Sequence, residues 1–234
     1  MTRRLPSGNI IFCKKHLKRK LQPPDMIDAI TALQRLREGN HRFVHNLSSA
    51  EPLTTHTRRA ELATYQEPFA IILGCSDSRV PAELVFDQGL GDLFVIRVAG
   101  NIVAPSQIGS VEFAVSRFGT RLVVVLGHSQ CGAILATLDE LTQGNDSSSK
   151  NIRSIVDRIK PAVAGLLHTE LRHNHDALVN ESVRANVRTS ANHLRHGSEI
   201  IEKLVESDGL LVVGAEYSLE TGIVTFFDGV PALV

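Results

Sequence analysis

Apolar residues recur along this chain at two different periods, and the change between them marks out its elements. Over 26–46, Ile27, Ile30, Leu33, Leu36 and Phe43 follow a 3.6-residue rhythm. That spacing predicts an amphipathic helix with Asp25 as its N-cap and an apolar face seeking a partner surface. A second, short helix is expected over 55–64. The period then changes. Phe69-Ala-Ile-Ile-Leu-Gly74 is short, continuous and β-rich, the pattern of a strand buried on both faces. The runs 94–98, 122–127 and 210–214 repeat it, and 222–228 reads as an edge strand after a turn. Helical stretches at 107–118 and 133–141 lie between the strands. Residues 151–206 read as helical, with breaks expected at Pro161 and in the polar 176–180 region, and 144–149 reads as a loop.

Strands alternating with helices predict an α/β fold: a mainly parallel central β-sheet flanked by helices, with an N-terminal helical arm. The continuous apolar runs are about six residues long, against the roughly 20 that a bilayer span needs, so no membrane span is expected. Length and composition (234 residues, 43% hydrophobic) suit an ordinary globular domain and exclude a collagen-like or wholly disordered chain. The 25 basic and 25 acidic residues balance, but unevenly: seven of the basic ones, from Arg3 to Lys20, fall in the first twenty residues. Residues 1–25 therefore read as a basic flexible tail and 26–234 as a single α/β domain. The rest of the chain is net acidic, and no nucleic-acid partner is expected. Three cysteines make no disulfide framework and point to a reducing, cytoplasmic setting.

Ligands of such sheets bind beyond the carboxyl ends of the strands. Two expected strands end in chemically loaded sequence, Cys75-Ser-Asp77-Ser-Arg79 and His128-Ser-Gln-Cys131-Gly132. A lone buried cysteine is most often a small core hydrophobe, and a lone histidine after a strand is a loop residue. Two cysteines and a histidine just past two strands are a different matter, because thiolate and imidazole are what zinc prefers. Cys75, His128 and Cys131 supply three ligands; Cys13 lies in the basic arm and supplies none. Three ligands leave one position open, the mark of catalytic rather than structural zinc. Cys131-Gly132 also opens an expected helix, whose dipole favours a thiolate. Asp77 and Arg79 form a surface ion pair of little worth in the bland reading. Beside a metal, Arg79 holds Asp77 ionised and oriented, ready to accept a hydrogen bond from zinc-bound water on its way to hydroxide.

These motifs, together with Gly91-Asp-Leu-Phe-Val-Ile-Arg97, resemble the β-class carbonic anhydrases over roughly residue 26 to the C-terminus. The resemblance implies one zinc ion per chain at Cys75, His128 and Cys131, the Asp77–Arg79 dyad, and reversible hydration of carbon dioxide to bicarbonate. It implies a homodimer, with pairing into a homotetramer common in the family, and N-terminal helices that embrace the partner. It also implies that Asp77 becomes a fourth metal ligand in a closed form. Among pocket positions, Gln66 matches a glutamine reaching substrate across the dimer interface, and Phe94 an apolar pocket residue. Gly132 follows the last ligand in the motif. Phe113 stands where plant-like members have tyrosine, and Ala99 replaces a more usual valine. Ile72 occupies the position of a tryptophan that builds a non-catalytic bicarbonate site in some members, and the chain has no tryptophan.

Three other readings use the same residues. One is hydrolysis of carbon disulfide or carbonyl sulfide on the same fold, against which Gln66 speaks. Another is a catalytically inactive zinc scaffold, against which the complete set of Cys75, Asp77, Arg79, His128 and Cys131 speaks. A thiol redox protein is weaker, since no Cys-x-x-Cys pair is present.

Overall fold

The continuous apolar runs form the inner strands of one sheet. The computed structural model describes residues 27–47, 55–144 and 149–232. Its five strands are β1 (Ala70–Gly74), β2 (Leu93–Arg97), β3 (Leu122–His128), β4 (Leu211–Tyr217) and β5 (Val224–Asp228), in the order β2-β1-β3-β4-β5. The first four are parallel, and β5 closes the edge antiparallel to β4. Every residue of β1 and β3 is buried, as strands covered on both faces must be. From β1 the chain moves to β2 on one side, then returns to β3 on the other. The strand order reverses there, and a crevice opens at the carboxyl ends of β1 and β3. Gly74 pairs with Leu126, so Cys75 emerges beside the end of β3, where His128 lies.

Side chains alternate between two apolar layers, as the two-residue period of a strand requires. Ala70 and Ile72 face one layer, with Val85 and Phe86 and with Leu33 and Leu36 of helix α1 (Ala29–Val44). Ile71 and Leu73 face the other, with helices α4 (Pro105–Arg117), α7 (His175–His196) and α8 (Glu199–Ser207). The remaining helices are α2 (His56–Leu62), α3 (Ala82–Val85), α5 (Gly132–Gln143) and α6 (Lys150–Val163). A third cluster, from α5, α6 and α7, packs around Cys75 and Cys131.

The structure departs from several of these expectations. Helix α1 is capped by Asp28, whose Oδ1 accepts from the N–H groups of Ile30 and Thr31, both at 2.9 Å. Asp25 lies outside the described residues, with the basic tail and Cys13. The apolar face of α1 is divided: Ala32, Leu33 and Leu36 are buried on the chain's own sheet, whereas Ile30 is 50% exposed. Gly39 lets the helix lie against the segment after α3, since a Cβ there would collide with the Phe86 carbonyl oxygen. Pro161 sits inside the last turn of α6 rather than ending it, and two 3-10 turns follow the helix. The polar stretch 176–180 is the first turns of α7, not a break. The Asn174 side chain caps it by accepting from Ala177 N–H at 3.1 Å, and Asp176 suits the positive end of the helix. β4 also runs on past Gly214 to Tyr217, with Glu216 accommodated by Arg184 Nε at 2.7 Å.

Candidate metal centre

Cys75 follows β1 directly, His128 is the last residue of β3, and Cys131 sits at the N-cap of α5. The turn between His128 and Cys131 is tight: Gln130 adopts φ 54°, in the left-handed region. The three ligand atoms lie within 4.8 Å of one another, and all three residues are buried. The other histidines among the described residues are exposed, in keeping with their reading as surface groups.

The donor atoms suit a zinc ion. His128 Nδ1 is 2.8 Å from the Ser129 carbonyl oxygen, which only accepts, so Nδ1 carries the proton and Nε2 presents its lone pair. Nε2 is buried without a hydrogen-bond partner among the described residues, an unusual state for a polar atom. The neighbouring Cys131 thiol draws the Cys75 pKa far below the usual thiol range against the opposing effect of burial. The same contact, with burial, raises that of Cys131. Burial opposes charging of His128, but the Cys75 sulfur and the Ser129 carbonyl outweigh it and raise its pKa. Two thiols and an imidazole, desolvated and converging, are a soft donor set.

Long-range contacts hold these ligands. Gly100, in the 3-10 turn Ala99–Asn101, donates its N–H to Cys75 Sγ at 3.3 Å. Its carbonyl accepts from Nδ2 of the buried Asn186 on α7 at 2.8 Å. Gly100 has φ 68°, and a Cβ would press on Ile159 and Ala133, so glycine alone fits. Ala99 belongs to this supporting turn. Arg97, at the end of β2, donates from Nε to the Cys75 carbonyl at 3.1 Å and from Nη2 to the Asp77 carbonyl at 2.6 Å. Sequence reasoning named neither Arg97 nor Asn186 as site residues. A charged residue closing an apolar strand was the one available signal, and it pointed to Arg97.

Asp77 and Arg79 meet in a two-point pair. Arg79 Nε lies 2.9 Å from Oδ1 and Nη2 2.7 Å from Oδ2, and the Arg79 backbone N–H also donates to Oδ1. Arg79 holds the Asp77 carboxyl well below the usual carboxylate range, against partial burial. Asp77 Oδ2 is 3.9 Å from His128 Nε2, so a fixed carboxylate stands beside the open side of the imidazole. Gly132 opens α5 with empty space where a Cβ would be. Its first-turn N–H has no acceptor within the helix. A groove of about 890 Å³ runs alongside, lined by Ser129, Gln130, Arg184, Glu216 and Glu220 among others.

The other three expected pocket residues lie elsewhere in this chain. Gln66 is exposed and precedes β1, whereas Cys75 follows it; five strand residues span about 16 Å. Phe94 pairs with Ile71 near the start of β2. It packs against Phe113 and Phe118, with ring centroids 6.2 and 6.0 Å away, and Phe113 is 55% exposed. Ile72 is wholly buried in the sheet.

Residues 70–224 match the family model described as carbonic anhydrase. Carbonic anhydrase 2 of Mycobacterium tuberculosis is 38% identical over 195 residues, covering 82% of this chain and 90% of that protein. The carbonic anhydrase of Mycolicibacterium smegmatis is 38% identical over 198 residues, with the same coverage. Among solved structures, the β-carbonic anhydrase CcaA superposes with a TM-score of 0.65 at 28% identity, over 86% of each chain. One of two tetrameric β-carbonic anhydrases from Sordaria macrospora gives 0.64 at 25%, over 72% of this chain and 84% of that one.

Proposed function

The chain belongs to the β-carbonic anhydrase family, and from that premise we propose that it hydrates carbon dioxide reversibly to bicarbonate and a proton, at zinc held by Cys75, His128 and Cys131. The observation that carries this reading is the buried Cys-His-Cys triad with an ionised, oriented Asp77 at its open side. Zinc, when bound, supplies a Lewis acid that makes water nucleophilic near neutral pH. The chain's own residues do the rest. His128 keeps its proton on Nδ1, and Nε2 would hold the metal. Asp77 accepts a hydrogen bond from the attacking water and so aims its lone pair at the carbon of carbon dioxide. As the C–O bond forms, one C=O electron pair moves to oxygen, and the Gly132 N–H at the head of α5 favours that developing charge. The proton lost from water leaves to solvent. The thiol ligands suit a reducing, cytoplasmic setting. On purified protein, metal analysis with stopped-flow hydration should give about one zinc per chain and turnover that increases with pH. One zinc per chain with no hydration at pH 8–9 would instead favour a sulfur analogue of carbon dioxide as substrate, or an inactive scaffold.

The same proposal includes a homodimer. Gln66 precedes β1, Phe94 lies near the start of β2 and Phe113 lies on α4, all away from their own metal centre; in the proposed dimer they complete the site of a second copy. The tetrameric Sordaria proteins support assembly of this fold beyond one chain. Gln66→Ala should leave zinc bound and lower kcat about tenfold, as loss of one interaction worth about 1.4 kcal/mol does. Mixing Gln66→Ala with a zinc-free ligand variant should change activity as subunits exchange. A fully active monomer in light scattering would overturn the shared site.

A further inference from the structure

We infer that Glu220, acting through Ser129, is a positioning residue for His128: it anchors the carbonyl that keeps the imidazole turned with Nε2 towards the metal. The inference rests on the zinc reading above and adds a residue that the proposed chemistry does not use.

His128 Nδ1 has one partner holding its proton in place, the Ser129 carbonyl at 2.8 Å. That carbonyl belongs to the peptide leading into Gln130, which adopts φ 54° without being glycine. Such a conformation costs on the order of 1 kcal/mol and persists only where neighbours hold it. The neighbours come from the turn after β4. Ser129 N–H donates to the Tyr217 carbonyl at 3.0 Å. Ser129 Oγ accepts from the Leu219 N–H at 2.9 Å, so its single proton is free to be donated. It goes to Glu220 Oε2 at 2.8 Å. The same carboxylate oxygen accepts from Ser218 Oγ at 3.0 Å, and Ser218 Oγ in turn accepts from the Thr221 N–H at 3.0 Å. Glu220 is thus pinned within its own turn and presents an anionic acceptor to a buried serine. A charge-assisted bond of this kind is about twice as strong as a neutral one. The Ser129 hydroxyl in turn holds the Glu220 pKa below its ordinary value, so the acceptor stays ionised at neutral pH.

Removing the Glu220 carboxylate leaves the Ser129 proton without its acceptor and loosens the peptide that orients His128. Outer partners of metal ligands contribute roughly 10- to 100-fold in metal affinity. Glu220 stands one bond further out than such a partner, which places the expected loss at the low end.

The test is cobalt(II) binding to zinc-stripped protein, read by chelator competition and by the visible absorption of the thiolate-bound ion, with circular dichroism checking the fold. Glu220→Ala should bind cobalt about tenfold more weakly and shift the visible bands. Glu220→Gln, whose amide oxygen still accepts from Ser129, should bind within about twofold of the parent. Ser129→Ala should bind at least as weakly as Glu220→Ala, and the double variant no more weakly than Ser129→Ala. Parent affinity and spectrum in a folded Glu220→Ala protein would overturn the inference. So would additive losses in the double variant, or a Glu220→Gln protein as weak as Glu220→Ala. Failure of the parent itself to show thiolate-bound cobalt would overturn the zinc reading, a separate result.

Discussion

Replacing Cys75 or Cys131 by serine should empty the proposed metal centre and abolish turnover. Both residues are buried, at 6% and 1% exposure, and both thiols converge with His128 on one point. Serine nearly preserves the shape, so the sheet and α5 keep their packing and the protein still folds. What changes is the donor. A hydroxyl is a poor ligand beside a polarizable thiolate, and losing one of three protein ligands weakens binding by on the order of a thousandfold, about 4 kcal/mol. Zinc content after dialysis should fall to near zero in either variant, while the parent keeps about one per chain. Thermal unfolding provides a second reading. The parent should lose stability when stripped by a chelator, and the serine variants should not respond, because a metal stabilises only the folded state that binds it. Full zinc occupancy in either cysteine variant would overturn the ligand assignment.

Arg79→Ala should lower activity about a hundredfold near neutral pH while zinc stays bound, the low end of what a positioned proton-handling group contributes. Arg79 is the first cause of the low Asp77 pKa. Asp77 stabilises the folded state fully above its unfolded pKa, and that contribution is lost as pH falls through its depressed folded value. Across pH 6–9, therefore, Asp77 is ionised throughout and adds no slope of its own. The expected rise of parent activity through about pH 7 to 8 belongs to the water and metal, not to this carboxylate. Without Arg79, Asp77 is released from its two-point pair beside His128 Nε2 and competes for the fourth ligand position. The acid limb of the pH–rate profile should then move to higher pH. Asp77→Asn should lose comparable activity by a different route. The amide no longer serves as an anionic acceptor, and as a weaker ligand it does not close the site, so the profile should drop without moving. Equal profiles for Arg79→Ala and the parent at every pH would show that Asp77 does not compete for the fourth ligand position.

The sequence alone determined the strands, their parallel arrangement and the chemical trio. These rest on local physics: a continuous apolar run is buried on both faces wherever it lies, and Cys75, His128 and Cys131 each follow a strand that such a run predicts. Asp77 and Arg79 were legible for the same reason, being two residues apart in one loop. Tertiary structure alone decided which side chains support that trio. Arg97, Asn186 and Glu220 reach the site across 20, 86 and 91 residues of chain to Asp77, Gly100 and Ser129. It also decided that α1 buries Leu33 and Leu36 on its own sheet, and that Gln66 and Phe94 stand away from their own centre. Periodicity reports which face of an element avoids water. It carries no record of what the face meets, because that depends on the strand order β2-β1-β3-β4-β5 and on the register that sets Gly74 beside Leu126.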